Sequence, residues 1–395
     1  MPLSQIQCVR LFPLAIPLRR AFTHAAAERR MADPLVVAVE LRNGVVGYGE
    51  TLPRPYVTGE TAATVLEDIP SRLMFGMERW RPDTFAAALE CTDSLPYRAE
   101  DGRLLLAARA GLELALLDAY SRCFRRSVLD AAGWLGLPGL GAPGSVGRVR
   151  YSGVLSGQDP KALRRSVWKM RWFGLRDFKL KVGFEDDDPR VRAVASALGR
   201  SLGRKTTLRL DANGGWNADV AARRLGDWSS LPIACVEQPL PRGQESLLEG
   251  LRHASCVPIM QDESLLTFED AERMIRDGQI DALNIRISKN GGLLPAMRLA
   301  GLARQHGLPF QLGCMVGETG ILSAAGRRFL EAVPGAVFAE GSYGTFLLRD
   351  DIVRRSVRFG YGGHVRPLHG FGWGVDVDAA KLDAYSVEGA VEIRL

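Results

Sequence analysis

Lysine is scarce in this chain of 395 residues, although basic residues in general are not. Of the 51 lysines and arginines, only seven are lysines: Lys161, Lys169, Lys179, Lys181, Lys205, Lys289 and Lys381. An arginine stays protonated in a protein, whereas a partly buried lysine can lose its proton and act as a base. Because the chain uses arginine for its other cations, the few lysines it keeps are candidates for proton transfer.

Several classes of protein are disfavoured by features that the sequence lacks. No apolar run approaches the roughly 18 residues needed to span a bilayer, and no block of like charges indicates a nucleic-acid-binding arm. No G-x-G-x-x-G or G-x-x-x-x-G-K-[ST] segment follows a predicted strand, which disfavours dinucleotide and P-loop binding. The formal net charge of +6 comes from scattered arginines, and such a field favours the approach of an anionic substrate.

The six cysteines form no C-x-x-C motif and no paired spacing. This pattern favours free thiols in a reducing compartment. The apolar N-terminal run over 11–18 is short and broken by two prolines, so it predicts an opening strand rather than a signal peptide. We therefore expect a cytoplasmic protein with a small-molecule partner, and neither a nucleic-acid nor a membrane partner.

Residues 1–125 mix strands and helices in an order that predicts a separate α+β domain. A strand over 34–44 ends in an Asn-Gly turn, and 45–50 is its expected hairpin partner. Thr58 or Thr61 is expected to cap a helix, and apolar residues at helical spacing predict a buried helix over 104–123. The glycine-rich tail leads us to expect that about 360–395 completes this domain.

Short apolar runs then recur at intervals of about 24 to 29 residues, with helical stretches between them. They are residues 151–155, 178–182, 208–211, 234–237, 259–262, 283–288, 310–312 and 337–340. Eight strands that alternate with helices predict a (β/α)8 barrel over 126–359. A doubly wound open sheet is the alternative, but it does not need eight nearly equal units.

Polar residues end five consecutive predicted strands, which is where barrel enzymes place their chemistry. They are Lys179 and Lys181, Asp211 and Asn213, Glu237, Asp262 and Glu263, and Lys289. Three carboxylates on adjacent strands repel one another unless a hard cation joins them, and an all-oxygen shell favours Mg²⁺. A nearby cation and burial would lower the pKa of the flanking lysines, so that a neutral amine is available as a base.

Each of these residues also has an ordinary structural interpretation. Asp211 or Asp262 would suit a helix N-cap, Glu237 a loop, Lys289 a turn before Asn-Gly-Gly, and the lysine pair a solvated strand edge. The functional interpretation is favoured because five consecutive strand ends all carry a suitable residue type.

This series of motifs resembles the enolase superfamily and, within it, the muconate lactonizing enzyme (muconate cycloisomerase) subgroup. The motifs are Lys179-x-Lys181, Asp211-Ala-Asn213, Glu237-Gln-Pro, Asp262-Glu263-Ser and Lys289-x-Gly-Gly, and the stretch 46–50 and the glycine-rich tail are also similar. The resemblance implies an α/β fold with a modified TIM barrel of the (β/α)7β type and an α+β capping domain. It also leads us to expect a homo-oligomer.

The resemblance further implies roles for the residues at the strand ends. Asp211, Glu237 and Asp262 would bind Mg²⁺, or Mn²⁺ in its place. Lys181 and Lys289 would be an acid/base pair on opposite faces of the substrate α-carbon, with Lys179 lowering the pKa of Lys181 and stabilising the developing charge.

The substrate is less well defined by the resemblance. Residues 58–61 and 313–315 are similar to stretches of the dipeptide epimerases of this subgroup, which typically hold the substrate ammonium with an Asp-x-Asp after strand 8. This chain has Glu340-Gly-Ser342 there. Glu318 would contact substrate or begin a helix in a solvated loop.

Two specificity loops of the capping domain are also expected from the resemblance. Phe22, Thr23, His24, Tyr56 and Thr58 fall in them, although Phe22 and Tyr56 would equally suit a core.

Three functions follow from these expectations. The first is a Mg²⁺-dependent racemase or epimerase that forms an enediolate from an amino-acid derivative or dipeptide-like carboxylate, with two lysines exchanging the proton. The second is a muconate-type cycloisomerase or a syn-dehydratase of the o-succinylbenzoate synthase type, which needs one lysine. The third, a non-catalytic small-molecule-binding relative, is disfavoured because the lysine and carboxylate positions are intact.

Overall fold

The computed structural model describes residues 3–24, 27–137, 149–387 and 389–395, with the backbone alone for 20–24, 27 and 28. The strands are β1 (Ile6–Pro13), β2 (Ile16–His24), β3 (Ala27–Ala32), β4 (Leu35–Leu41), β5 (Val46–Thr51), β6 (Gly153–Leu155), β7 (Asp177–Lys181), β8 (Thr207–Asp211), β9 (Cys235–Glu237), β10 (Ile259–Gln261), β11 (Ala282–Ile285), β12 (Phe310–Leu312), β13 (Phe338–Ala339) and β14 (Val391–Arg394).

The α-helices alternate with these strands from β6 onward. They are α1 (Ala62–Asp68), α2 (Phe85–Asp93), α3 (Leu106–Phe124), α4 (Asp130–Trp134), α5 (Pro160–Trp172), α6 (Asp187–Leu198), α7 (Ala218–Asp227), α8 (Leu248–Ala254), α9 (Phe268–Arg276), α10 (Leu293–Gln305), α11 (Gly320–Ala332) and α12 (Ala379–Tyr385). No helix in the described ranges combines the length and the hydropathy that a bilayer crossing requires.

Strands β6 to β13 form one parallel sheet in chain order, and the sheet closes on itself. Tyr151 forms a parallel bridge with Ala339, and the Ser152 N–H donates to the Ala339 carbonyl at 2.9 Å. Seven helices, α5 to α11, connect the eight strands. The predicted barrel of the (β/α)7β type is therefore confirmed, and the open-sheet alternative is excluded by the closure.

The order of the strands round the ring decides which side chains face each other. Lys181 pairs in register with Asp211, and Asp211 pairs with Glu237. In a ring of eight strands β7 and β11 are four strands apart in either direction, so they stand on opposite sides. Residues that end these two strands therefore face each other across the barrel mouth.

A second sheet, antiparallel and four-stranded, has the order β14-β1-β4-β5 and covers α3. The two glycines of Val46-Gly-Tyr-Gly-Glu50 allow the close packing of β5 on that helix. A Cβ at Gly47 would lie 2.1 Å from the Ala119 nitrogen, and one at Gly49 would lie 2.1 Å from the Gly111 carbonyl oxygen. The hairpin predicted at Asn-Gly is present between β4 and β5.

Three buried glutamates bind the N–H groups at the starts of helices, where the helix dipole is positive. Glu60 accepts from residues 107 and 108 at the start of α3. Glu113 accepts from residues 293 and 294 of α10, and Glu50 accepts from residues 319 and 322 at the start of α11. Glu50 and Glu113 belong to the N-terminal segment and bind barrel helices, so they join the two parts of the molecule.

Burial raises the pKa of each of these glutamates to about 7 from the ordinary value of 4.5. A group with a raised pKa binds more protons in the folded state, so its contribution to stability falls as the pH rises from about 4.5 to about 7. We expect the free energy of unfolding, measured in urea at pH 5, 6, 7 and 8, to fall less steeply with pH in Glu50→Gln than in the wild type. Between pH 5 and pH 8 the two decreases should differ by about 1 kcal/mol or more. Glu90→Gln, on the exposed side of α2, is the control, and equal slopes in both variants would contradict the prediction.

Candidate active site

The interior of the barrel holds a small apolar cluster and, toward the C-terminal ends of the strands, an ionic level. Cys235, Met260 and Ala282 form a small apolar cluster on three neighbouring strands. Because alternate residues of a strand face the same side, Glu237 lies on the same face of β9 as Cys235. The ionic level is thus built at the C-terminal ends of the strands.

Lys179 lies at the centre of this ionic level and is 1% exposed. Its Nζ lies 2.9 Å from Asp211 Oδ2, 2.9 Å from Glu237 Oε1 and 2.9 Å from Glu340 Oε2. Burial lowers the pKa of Lys179, but the three carboxylates outweigh it and hold that pKa well above its usual range. Lys179 is therefore a fixed cation that the carboxylates share.

Lys181, two residues further along β7, is bound less completely. Its Nζ donates to Asp211 Oδ2 at 2.6 Å and to Asn213 Oδ1 at 3.0 Å. Asn213 has a left-handed φ of 47°, and its Nδ2 donates to Glu263 Oε1 at 3.0 Å. An ammonium has three N–H donors, so one direction of the Lys181 nitrogen is left for the cavity that this side chain lines.

Arg286 follows β11 and thus stands across the barrel mouth from Lys181. Its Nη2 contacts Asp262 Oδ2 and lies 3.6 Å from Glu237 Oε1. Burial lowers the pKa of Arg286, but Asp262 and further carboxylates raise it well above its usual value. The cavity therefore has a permanent guanidinium cation on this side.

Lys289, which is predicted to be the second acid/base residue, does not line the cavity. It is fully buried, and its Nζ donates to the carbonyl oxygens of Asp262 (2.7 Å) and Asn284 (2.9 Å) and to Asp262 Oδ1 (2.9 Å). All three donors are used, so no direction is left for a substrate. The neighbouring Ser288 hydroxyl contacts Thr51 at 2.9 Å, which places this turn against the N-terminal segment.

The strand before Lys289 ends earlier than predicted. The run 283–288 suggested a strand that continues to Lys289, but β11 ends at Ile285. Asn284 faces the inside of the barrel, because its Nδ2 donates to Glu237 Oε1 at 2.9 Å. Alternate residues share a face, so Arg286 lies on the inner face as well. That alternation is the signal that identifies Arg286, which the sequence interpretation missed.

The three carboxylates predicted to bind metal have different acidities. For Asp211 burial raises the pKa, but Lys179 and Lys181 outweigh it and the pKa is lowered. The pKa of Asp262 is likewise lowered, because Arg286 and Lys289 outweigh its burial. Burial and the charge of Asp211 raise the pKa of Glu237 to about 8.

Asp211, Glu237 and Asp262 supply the oxygen ligands that a hard cation prefers. In this structure, however, these oxygens contact the chain's own cations. Nowhere in the described part of the chain are three or more His, Cys, Asp or Glu side chains already arranged round one point. Two buried acceptors beside the cluster, Glu263 Oε2 and Asn284 Oδ1, have no hydrogen-bond partner. Two donors of the cluster, Arg209 Nε and Arg286 Nε, are likewise unpaired, and a divalent ion would fit the oxygens in exchange for the contacts of Arg286 and Lys179.

The residues after β13 are engaged within the protein. Glu340 Oε1 accepts from Arg209 Nη1 at 2.9 Å, and Oε2 accepts from Lys179 at 2.9 Å. The Ser342 hydroxyl donates to the Val357 carbonyl at 2.8 Å and accepts from Arg327 at 3.0 Å. Arg209, which the sequence interpretation also missed, is fully buried in the barrel.

The remaining predicted site residues are not brought to the main cavity. Glu318 accepts the Met315 N–H at 2.6 Å and faces a small neighbouring void. Tyr56 is 39% exposed and Thr58 is buried, and neither lines the cavity. Phe22 lies in β2 with its backbone paired to Arg29, whereas the side chains of Phe22, Thr23 and His24 lie outside the described residues.

A cavity of about 640 Å³ opens beside the ionic level. Its inner end is formed by Lys179, Lys181, Arg286 and Glu340, and it extends past Gly153 on β6. A closed parallel barrel with lysines and carboxylates at the C-terminal strand ends, open to one cavity, defines an enzyme of the TIM-barrel class.

Comparisons with known proteins identify the family within that class. Residues 162–381 match the family model described as Enolase C-terminal domain-like. The L-Ala-D/L-Glu epimerase of Escherichia coli (strain K12) is 31% identical over 348 residues, which cover 87% of this chain and 96% of that protein. The chain belongs to the enolase superfamily.

Solved structures agree with this assignment. A dipeptide epimerase from Enterococcus faecalis V583, complexed with Mg and L-Leu-L-Tyr, superposes with a TM-score of 0.81 at 26% identity and covers 94% of this chain and 99% of its own. A 2-chloromuconate cycloisomerase from Rhodococcus opacus gives 0.83 at 26%, with 97% and 100% covered. These relatives match the resemblance to the muconate lactonizing enzyme subgroup, and the chain is an isomerase of the superfamily.

Two of the three buried lysines of the site should differ in how much stability is lost when they are replaced. Lys289→Met removes one of the two cations that Asp262 binds and leaves the buried carbonyls of Asp262 and Asn284 without this donor, for which we expect a loss of about 3–5 kcal/mol in the free energy of unfolding. Lys181→Met, at the cavity wall, should cost less, because Asp211 keeps Lys179 as a partner. Urea unfolding of both variants measures the difference, and equal losses would contradict the structural role of Lys289.

Proposed function

We propose that the protein removes the proton α to a substrate carboxylate, with Lys181 as the only base, and isomerises the resulting enediolate on that face. The observation that carries the proposal is the asymmetry of the site. Lys181 has an unused direction toward the cavity, whereas the opposite side presents Arg286, which cannot give up its proton in a protein. A guanidinium can hold charge there, but it cannot return a proton to the second face.

Asp211, Glu237 and Asp262 are the residues that would hold Mg²⁺. A bound Mg²⁺ would neutralise the negative charge that collects on the substrate carboxylate as the α-proton leaves. Support for the ion is the unsatisfied pair of acceptors beside these carboxylates and the donor chemistry.

The chain's own residues divide the work of the proton transfer. The Cα–H bond breaks, its electron pair moves into the carboxylate system, and the proton forms a bond to Lys181 Nζ. Lys179 keeps its positive charge beside Asp211 and Glu237 and favours the doubly negative enediolate. Arg286 adds positive charge from the opposite side.

One-face chemistry favours a cycloisomerase-type reaction, in which Lys181 takes the α-proton as a bond between the β-carbon and oxygen breaks and, in the reverse direction, donates the proton as that bond forms. The 24% identical chloromuconate cycloisomerase of Cupriavidus necator, which spans 97% of this chain, is a relative of that kind. The second candidate is an epimerase of dipeptide-like carboxylates, which the names of several relatives favour. It needs a proton carrier on the face that Arg286 occupies.

Deuterium exchange at Cα separates these functions. In D₂O with Mg²⁺ we expect exchange, followed by NMR, in only one of the L and D forms of N-acylphenylalanine, without interconversion. Lys181→Met should lower the exchange rate by at least about 10²-fold. Arg286→Lys supplies an amine on the second face, so exchange of the other form should appear.

Lys205→Met is the matched control, because this exposed lysine lies before β8 at the other end of the barrel. Interconversion of the L and D forms by the wild-type protein would replace the one-base proposal with the epimerase. Full exchange by Lys181→Met would refute the assignment of the base.

Arg286 should also weaken metal binding, because its guanidinium and the ion need the same Asp262 oxygen. We expect Arg286→Met to bind Mg²⁺ about tenfold more tightly than the wild type, which is about 1.4 kcal/mol. Isothermal titration calorimetry with MgCl₂ measures the affinity, and Arg276→Met, 71% exposed on α9, is the control. Equal affinity in Arg286→Met would contradict the competition.

A further inference from the structure

The cavity beside Lys181 is much longer than an α-carbon with its carboxylate requires. From the ionic level it runs along the junction of β6 with the segment that follows β13, past Gly153 and Tyr343. It then reaches Phe173, at the end of α5, and Phe346. The junction has only the bridge between Tyr151 and Ala339, so the ring is least continuous there.

The middle of the cavity is aromatic. The ring of Phe173 meets that of Phe346 edge to face at 5.8 Å and lies 6.3 Å from that of Phe359. Tyr343 meets Phe359 edge to face at 5.7 Å. Such a wall gains most from an aryl or branched alkyl group, because apolar area is removed from water and ring edges can pack on ring faces.

The inner end of the cavity has nothing free to receive an ammonium. Glu340 is the only acid among the described residues that line it, and both of its oxygens are bonded to Arg209 and Lys179. The other charged groups at this end, Lys179, Lys181 and Arg286, are cations. A substrate ammonium would lie beside three cations and would find no carboxylate oxygen that is not already bonded.

The outer end has two further cations. Arg19 uses its Nε for the carbonyls of Thr345 (2.6 Å) and Leu348 (3.1 Å), which leaves its terminal nitrogens for a ligand. Lys169 is exposed on α5, and its ammonium has no partner among the residues that the structure describes. Both line the cavity, so an anion at this end would be met by two charges.

We infer that the substrate is a carboxylate without an ammonium group, with an aryl or branched alkyl segment in the aromatic part of the cavity and a second anionic group between Arg19 and Lys169. The inference rests on the proposed function for the position of the reacting carboxylate. Each part of this substrate follows from one observation. The aromatic wall indicates the aryl or branched alkyl segment, the bonded oxygens of Glu340 disfavour an ammonium, and the two outer cations indicate the second anionic group.

Four probes test the three parts separately. They are N-succinyl-L-phenylalanine (aryl group and second anion), N-acetyl-L-phenylalanine (aryl group only), N-succinyl-L-alanine (second anion only) and L-alanyl-L-phenylalanine (ammonium). Binding to Lys181→Met, measured by calorimetry with MgCl₂, is expected to be tightest for the first and weakest for the dipeptide. Tightest binding of the dipeptide would overturn the inference.

Two variants, each with a matched control, test whether the cavity residues cause these differences in affinity between the probes. Lys169→Gln should reduce the preference for succinyl over acetyl about threefold to fivefold, whereas Lys161→Gln, exposed on the same helix, should not. Phe346→Ala should reduce the preference for phenylalanine over alanine about fivefold. Phe371→Ala is its control, because the two rings are 42% and 40% exposed and each lies under an arginine. Preferences unchanged by both cavity variants would also overturn the inference.

The binding test and the exchange test can fail independently of each other. If the wild-type protein and Lys181→Met bind the first probe most tightly but the wild type exchanges no α-proton, the proposed function fails and the substrate class stands. If exchange occurs and is fastest with the dipeptide, the proposed function stands and the substrate class fails.

Discussion

The barrel can close round a polar interior only because the charges inside it compensate each other. Five buried carboxylates at or near the strand ends are matched by five cations: Asp211, Glu237, Asp262, Glu263 and Glu340 with Lys179, Lys181, Arg209, Arg286 and Lys289. An ion without a partner in such a place costs several kcal/mol. The residues of the site therefore contribute to stability through their partners, and Lys179, which three carboxylates share, contributes most.

This balance also limits the chemistry. The proposed reaction needs a neutral amine, and of the three lysines of the site Lys181 has the fewest hydrogen bonds to the protein. Across the mouth the charge is carried by a guanidinium instead of an amine. The same net charge is thus reached with a group that binds anions and does not exchange protons, and the proposed one-base reaction depends on this difference.

Regular features of the chain made much of this predictable from sequence. The repeat of strand and helix is local, and the alternation of Lys179 with Lys181 and of Asp211 with Asn213 places them on one face of their strands. The failures have long-range causes. Lys289 lies beyond the end of β11, in a turn whose Ser288 hydroxyl contacts Thr51, 237 residues away in the sequence. The bonds of Glu340 come from strands more than a hundred residues away.

Glu113 and Gly292 show how closely the two parts of the molecule depend on each other. A Cβ at Gly292 would lie 2.0 Å from Glu113 Oε2, so the carboxylate that anchors α10 can reach it only when residue 292 has no side chain. The helix that follows the Arg286 strand is thus seated by a residue from the N-terminal segment. A chimaera that combined this barrel with the N-terminal segment of a relative would have to keep both members of the pair, and the barrel by itself would lose an anchor of one of its helices.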